Sequence, residues 1–240
     1  MESYFGVTIN FQDMCVKQPD DNIQERNSNK DTAVPPNRLL EGAKFVVWVV
    51  VITMVLRVSV AEAYRVEMSS MENTLLPGDT ILGNKFLYGA RLPLIGLRLP
   101  AIRNPRPGDI IVLKHPVEAG QRLIKRVIAI GGQTVEIRDK QLYVDGQLVP
   151  LSGKGKFVDN HILPKGVSSR DNLGPLTIPY HRLFVMGDNR DISLDSRGWG
   201  FVDRDLVLGH AVVILYSWEK DRTRPIWERI RWSRFGHIPH

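Results

Sequence analysis

Cysteine is almost absent from this sequence, in which Cys15 is the only one among 240 residues. A disulfide within the chain and a metal site built from several cysteines are therefore excluded. Internal repeats and low-complexity segments are absent too, which argues against solenoid and fibrous folds. A chain of this length can bury a sizeable core without disulfides, so we expect a folded domain with appendages.

Long hydrophobic runs are scarce as well, and one run is a candidate membrane span. Residues 45–56 are strongly apolar, but a bilayer requires roughly 20 residues. Extension to 42–63 gives that length and puts Lys44 and Arg57 toward the ends, where long side chains reach the headgroups. Basic residues before the run favour a cytoplasmic N-terminus. We predict a mostly disordered cytoplasmic tail over 1–41, a single transmembrane anchor over 42–63 in the cell (inner) membrane, and an extracytoplasmic domain over 64–240.

Two other interpretations of this run stay open. It could form a buried core helix, or it could belong to a cleaved signal peptide, because Ala61-Glu62-Ala63 has the small-x-small pattern of a cleavage site. The long polar region before it and the interruption by Arg57 favour the anchor.

The formal net charge of +6 is compatible with a nucleic acid or a membrane surface as partner. Half of this excess lies in 218–240, together with three of the five tryptophans. Basic residues interleaved with tryptophan are typical of a lipid headgroup interface, so we expect a lipid membrane and no nucleic acid. The alternative is a C-terminal helix whose Trp and Ile side chains pack on the domain.

Beyond residue 63 the pattern predicts a mainly β fold with an antiparallel sheet. Short runs rich in Val, Ile and Leu alternate with Gly and Pro, and no long amphipathic helix separates them. Asp145-Gly146 is typical of a tight hairpin turn. We predict strands at 109–114, 122–130, 134–138, 141–144, 147–149, 181–186 and 207–216.

Three polar segments are candidates for chemistry, and the first contains Ser70. It lies 14 residues beyond Leu56, so it is at most ~50 Å from that point and can work near a membrane surface. The second segment is Lys125-Arg126 within an apolar strand. Burial favours the neutral amine of lysine, whereas arginine keeps its charge. Lys125 is therefore the plausible base and Arg126 an outward or ion-paired partner; the alternative is two solvated charges at a strand edge.

The third segment, 186–200, is dense in Asp, Asn, Ser and Arg. A calcium loop counted from Asp191 fails, because Ser196 and Val202 stand where Gly and Glu are required. We therefore expect no metal and a network in which three carboxylates neutralise three guanidinium groups: Asp188, Asp191 and Asp195 with Arg126, Arg190 and Arg197.

A Ser-His-Asp triad is the alternative to a Ser-Lys pair. The candidate histidines, His115, His161, His181 and His210, all lie outside the three segments. Ser70 also lacks the Gly-x-Ser-x-Gly surroundings of a nucleophile elbow. A Ser70–Lys125 dyad requires fewer coincidences.

Together the segments resemble the type I signal peptidases. The resemblance rests on Ser70-Met71 with Thr74-Leu75 and Gly78-Asp79, on 106–114, on Ile124-Lys125-Arg126-Val127, and on 187–201, in this order and after an apolar span. It implies a smaller β insertion, which we place at 133–180, and a monomer without cofactors. It also implies cleavage of N-terminal signal peptides from exported precursors after small residues (Ala-x-Ala).

The resemblance further implies a role for each site residue. Ser70 would be the nucleophile, Lys125 the general base, and Ser193 the residue that orients Lys125. A rigid surrounding would be supplied by Asp188, Arg190, Asp195, Arg197 and Arg126. The oxyanion would be bound by the Ser70 N–H and, in addition, Ser69.

Three positions depart from the family pattern. Many members have Pro in place of Asn73 and Ser or Gly in place of Met68, and Gly131-Gly132-Gln133 replaces the usual Pro-Gly-Asp. These changes concern the rate of cleavage and its fine specificity.

Two functional alternatives stay open: a membrane-anchored β-domain that binds exported chains without cleaving them, and a membrane protease with regulatory substrates. The apolar residues 86–88 and 92–97 either dip into the bilayer or pack in the core.

Overall fold

The computed structural model describes residues 38–89, 99–151, 155–219, 221, 223 and 225–240, with backbone alone for 38, 39, 54–60 and 226. Helix α1 spans Arg38–Val60. Among the described residues, no helix combines the length and the apolar character that a bilayer crossing requires. The predicted polar tail as far as residue 37, Cys15 and residues 92–97 lie outside the described ranges.

A unit of residues Val49–His240 carries the β-structure. All strand pairs are antiparallel, which confirms the predicted mainly β fold. The strands are β1 Ala61–Arg65, β2 Asp79–Asn84, β3 Ile110–Lys114, β4 Arg122–Ile130, β5 Thr134–Arg138, β6 Gln141–Val144, β7 Gln147–Leu148, β8 Leu173–Thr177, β9 Arg182–Met186, β10 Val202–Asp203 and β11 Val207–Ser217. A short helix, α2, spans Ser196–Trp199.

The strands form two sheets. The large sheet has seven strands in the order β1-β2-β11-β3-β4-β9-β10, and the small sheet has four in the order β7-β6-β5-β8. All strands of the small sheet come from the segment between β4 and β9. In the large sheet, β4 lies between β3 and β9, and most of its side chains are buried.

Several strands have the predicted bounds because they are short apolar runs separated by turn residues. Strands β4, β5 and β6 start and end where the sequence predicts. Asp145 and Gly146 both have positive φ, 51° and 77°, as a type I′ hairpin turn requires. The sequence did not predict β1, β2, β8 or β10. Ala61-Glu62-Ala63 lies in β1, paired with β2, whereas the prediction assigned it to the anchor; pairing with a distant strand decides its conformation.

The structure bears on two sets of alternatives, one for residues 86–88 and one for the C-terminal tryptophans. Tyr88 is buried and its hydroxyl donates to Asp109 Oδ2 at 2.7 Å, so the ring packs in the core. In the C-terminal stretch the structure has 3₁₀ turns at Ile226–Arg229 and Trp232–Arg234. Trp227 and Trp232 are 70% and 65% exposed, so these two side chains do not pack on the domain as the alternative of a packed C-terminal helix requires.

Candidate active site

Lys125 is buried in the middle of β4. The strand pairs with β3 on one side and β9 on the other, and Lys125 lies opposite Ile111. Its side chain is 1% exposed. The pKa of Lys125 is lowered from 10.5 to about 8, with burial as the main cause; Asp195 and Asp188 oppose this shift and Arg197 contributes to it. A substantial fraction of the amine is thus neutral near pH 8.

Ser193 fixes the direction of this amine. Lys125 Nζ donates to Ser193 Oγ over 2.9 Å. Ser193 belongs to the loop between β9 and β10, here named the catalytic loop and defined as residues 187–197. The loop approaches the Ser70 backbone so closely at Gly187 that a Cβ there would lie 2.2 Å from Ser193 Oγ and 2.4 Å from Ser70 O. Any residue larger than glycine at this position would displace one of the two serines.

Ser70 lies in a 3₁₀ turn, Ser69–Met71, that the catalytic loop holds by backbone contacts. The Asn189 N–H donates to Ser70 O at 3.0 Å, and Asn189 Nδ2 donates to Ser69 O at 3.3 Å. Thr74, four residues after Ser70, donates its hydroxyl proton to Asp188 Oδ2 at 2.5 Å. The turn that carries Ser70 is therefore attached to the loop that orients Lys125.

Two of the predicted ion pairs are present and buried. Arg126 donates from Nε and Nη2 to the two oxygens of Asp188 at 2.8 and 2.7 Å, and from Nη1 to Gly108 O at 2.8 Å. Arg197 likewise donates from Nε and Nη2 to the two oxygens of Asp195, at 2.9 and 2.8 Å. Burial would raise the pKa of Asp195, but Arg197 holds it below its usual value. Of the two placements predicted for Arg126, the ion pair is the observed one.

The third carboxylate of the predicted network has a partner outside that network. Asp191 binds Lys140 Nζ at 2.8 Å and not Arg190. Arg190 is 5% exposed, its Nη1 lies 4.0 Å from Met186 Sδ, and its Nε has no partner among the described residues. Burial lowers the pKa of Arg190. The expectation failed because Asp191 points toward the segment between β4 and β9, whose position relative to the loop the sequence does not reveal.

Two cavities meet at Ser70. A cavity of about 460 Å³ is lined by Ser69, Ser70 and Lys125 together with Ile192 and Leu194. A cavity of about 640 Å³ on the other side of Ser70 is lined by the chain from Ala63 to Met68 and by Gln121, Arg122 and Ile124. Ser70 and Lys125 thus line one cavity, and Ser70 also lines a second cavity between two extended segments.

Several residues at the site were missed or set aside by the sequence analysis. His115 lines the same cavity as Ser70 and Lys125, but its Nδ1 accepts the N–H groups of Val117 and Glu118 at 3.1 and 2.9 Å. Lys156 pairs with Glu72 at 2.9 Å, beside the Ser70 turn. The sequence gives no signal for the Lys156–Glu72 pair, because it joins residues from distant parts of the chain. Within the described ranges, no group of three His, Cys, Asp or Glu residues is arranged to bind a metal ion.

Comparison with known proteins gives consistent matches. The family model "Signal peptidase, peptidase S26" matches residues 39–217. Signal peptidase I of Pseudomonas aeruginosa is 34% identical, over 85% of this chain and 79% of its own. Signal peptidase I of Bacillus licheniformis is 30% identical, over 83% of this chain and 97% of its own. A solved signal peptidase I from Enterococcus faecalis is 35% identical, covers 46% of this chain and 98% of that chain, and has a TM-score of 0.37.

Proposed function

Because the chain belongs to the type I signal peptidase family, the S26 peptidases, we propose that it is a membrane-bound serine endopeptidase that removes signal peptides from exported precursors. In this proposal Ser70 is the nucleophile and Lys125 the general base. The supporting observation is a buried lysine with a lowered pKa, hydrogen-bonded to Ser193, that lines one cavity with Ser70.

The proposed reaction begins with neutral Lys125. Its Nζ takes the proton from Ser70 Oγ while that oxygen bonds to the peptide carbonyl carbon. When the peptide C–N bond breaks, the leaving amine takes the proton from Lys125. Water then gives a proton to Lys125 and bonds to the acyl carbon, after which Ser70 Oγ leaves and recovers the proton. The exposed fraction of Lys125 is small enough to keep the amine in a dry environment.

The larger cavity is the proposed site for the signal peptide. Its walls are two extended segments, and β1 lies at an edge of the large sheet, so a substrate strand can pair with backbone there. Met68, Met71 and Ile124 are among the bulky side chains that line this cavity together with Ser70. We propose that this selects small residues before the cleaved bond, in the Ala-x-Ala pattern.

The dyad is tested with a purified precursor that carries an Ala-x-Ala site and the detergent-solubilised protein. We expect cleavage by the wild type and a loss of about 10³-fold or more in Ser70→Ala and Lys125→Met. The matched control is His115→Gln, which changes another titratable group of the same cavity and should retain cleavage. Cleavage that survives in both dyad variants would contradict the mechanism.

The same experiment separates the alternatives. A wild-type protein that binds the precursor without cutting it would be a binding module for exported chains. A protein that cuts only membrane-bound regulatory proteins would be a protease of another specificity.

The oxyanion site is proposed to consist of the Ser70 N–H and the Ser69 hydroxyl. Met68 stands where many relatives carry a hydroxyl, and a thioether has no proton to donate. Ser69 lines the cavity that contains Ser70 and Lys125. We expect Ser69→Ala to lower kcat by about 10²-fold with little change in KM. Unchanged kcat in this variant would leave the backbone N–H as the donor and remove Ser69 from the mechanism.

Membrane attachment and topology are part of the proposal. The described side chains of α1 from Phe45 to Ile52 are apolar and exposed, as a lipid-facing surface would be. We propose one span within α1, ending before β1 starts at Ala61, with a cytoplasmic N-terminus, an extracytoplasmic peptidase domain, and Trp227 and Trp232 at the lipid surface. Protease treatment of sealed spheroplasts should digest the domain from outside; a protected domain would contradict this topology.

A further inference from the structure

The segment between β4 and β9 contacts the catalytic loop through a short stretch, Lys156–Asp159. The Lys156 N–H donates to Asp188 O at 2.8 Å, and the Arg190 N–H donates to Lys156 O at 2.9 Å. These bonds form a parallel bridge between Lys156 and Asn189. The segment that builds the small sheet thus adds a strand-like contact to the loop that carries Ser193.

Asp191 is the main side-chain link between the catalytic loop and the Lys156–Asp159 stretch. Its Oδ2 accepts the N–H groups of Val158 and Asp159, each at 2.7 Å. Its Oδ1 accepts from Lys140 Nζ at 2.8 Å, and the same Nζ donates to Asp159 O at 2.7 Å. The Asp191 side chain is 2% exposed, so loss of its charge would weaken three hydrogen bonds that it accepts.

Further charged groups surround this link. Asp171 lies 3.8 Å from Lys140, and Arg170 binds Asp171 at 2.7 Å. Burial would raise the pKa of Asp191, but Lys140 and the two N–H donors hold it below its usual value. Asp191 therefore stays ionised through the neutral pH range, and the cluster connects it to the β5–β6 turn and to the stretch before β8.

The catalytic loop supplies the groups that set the state of Lys125. Ser193 accepts the hydrogen bond from its amine. The charges that act on its pKa, after burial, are those of Asp195, Arg197 and Asp188, all in the same loop. Movement of the loop would thus change both the direction of the amine and its access to water.

We propose that Asp191 and Lys140 are positioning residues for the Ser70–Lys125 pair: their ion pair attaches the catalytic loop to the β4–β9 segment and keeps Ser193 in place beside Lys125. This inference rests on the proposed function. Neither residue touches the reacting atoms. A second contact of the same stretch, between Lys156 Nζ and Glu72 Oε2 at 2.9 Å, connects it to the residue that follows the Ser70 turn.

The test uses Asp191→Asn and Lys140→Met in the full-length protein. For precursor cleavage we expect kcat to fall by about 10- to 100-fold with KM nearly unchanged, because substrate contacts remain while the reacting groups lose alignment. Lys140→Arg, which keeps a donor for Asp191, should restore much of the rate. NMR titration of the Lys125 side-chain nitrogen should show an upward shift of its pKa, because water gains access to the amine.

Glu136→Gln is the matched control. It removes a carboxylate of the same segment that pairs with exposed Arg138 and does not touch the loop, so kcat and the Lys125 titration should stay as in the wild type. Urea unfolding identifies variants that do not fold. If Asp191→Asn and Lys140→Met both fail to fold, or if both fold and keep the wild-type kcat and Lys125 pKa, the proposal is wrong.

The titration separates this inference from the proposed function. A wild type that cleaves no precursor would refute the peptidase assignment. The Lys125 pKa of the variants would still report whether Asp191 and Lys140 position the catalytic loop.

Discussion

At the scale of single residues, the site depends on Lys125 being both buried and ionisable. A charged amine in an apolar strand is unfavourable, and this is the reason that its pKa falls. The neighbouring Arg126 is similarly buried, and Asp188 accepts two hydrogen bonds from its guanidinium group. Two adjacent residues of β4 thus differ: Lys125 has a lowered pKa, whereas Arg126 forms an ion pair with Asp188.

Because burial of the charged Lys125 amine is unfavourable, we predict that Lys125→Met stabilises the protein while it abolishes cleavage. A fall of the pKa from 10.5 to about 8 corresponds to roughly 3 kcal/mol of unfavourable burial at pH 7. The penalty is complete below about pH 8 and disappears as pH rises toward 10.5, since the folded protein then releases the proton first. Urea unfolding at pH 7 and pH 10 measures it.

The same pKa sets the pH dependence of the wild type. We expect kcat/KM to rise about tenfold per pH unit at acidic pH and to level off near pH 8, as Lys125 becomes neutral. A Lys125→Met variant that is less stable than the wild type at pH 7, or a wild-type rate that levels off near pH 6, would contradict this role.

At the scale of elements, the turn after Ser70 has a conformation that its sequence decides. Asn73 has φ +101°, a region that Asn tolerates and Gly adopts freely. Proline, which many relatives carry at this position, fixes φ near −65°. The turn of this protein is therefore incompatible with the family's usual residue.

Asn73→Pro should accordingly lower the free energy of unfolding by more than about 1 kcal/mol. It should also lower kcat, because the change displaces Thr74, whose hydroxyl binds Asp188. Asn73→Gly is the control and should behave as the wild type. Equal stability and rate for the proline variant would show that the turn has another conformation in solution.

At the scale of the whole molecule, the C-terminal residues return to the segment that follows Ser70. Arg234 donates to the two oxygens of Asp79 at 3.0 and 2.6 Å and to Thr74 O at 2.9 Å. Arg126 Nη2 donates to His240 O at 3.0 Å. Residues more than 100 positions apart in the chain thus stabilise one another beside the site.

Arg234→Met should lower the free energy of unfolding by about 3–5 kcal/mol, because it leaves the buried Asp79 carboxylate without a counter-charge. Arg182→Met removes a half-exposed partner of Asp203 and should change stability little. Urea denaturation of both variants provides the comparison. If Arg234→Met is as stable as the wild type, the C-terminal contacts do not support the site.

The sequence by itself determined the strands and turns that depend on residues close together in the chain. Apolar runs bounded by turn residues predicted the bounds of β4, β5 and β6, and Asp145-Gly146 predicted the hairpin turn. The motif order predicted Ser70 and Lys125 as a pair, and the chemistry of lysine explains why Lys125 and not Arg126 can be neutral.

Only the tertiary structure decided the contacts between distant elements. Asp191 binds Lys140 and not Arg190, Ala61-Glu62-Ala63 pairs with β2, and Arg234 reaches Asp79. No spacing in the chain encodes such partners, because a side chain's choice depends on which segments the fold brings within hydrogen-bond distance and on which charges it buries there.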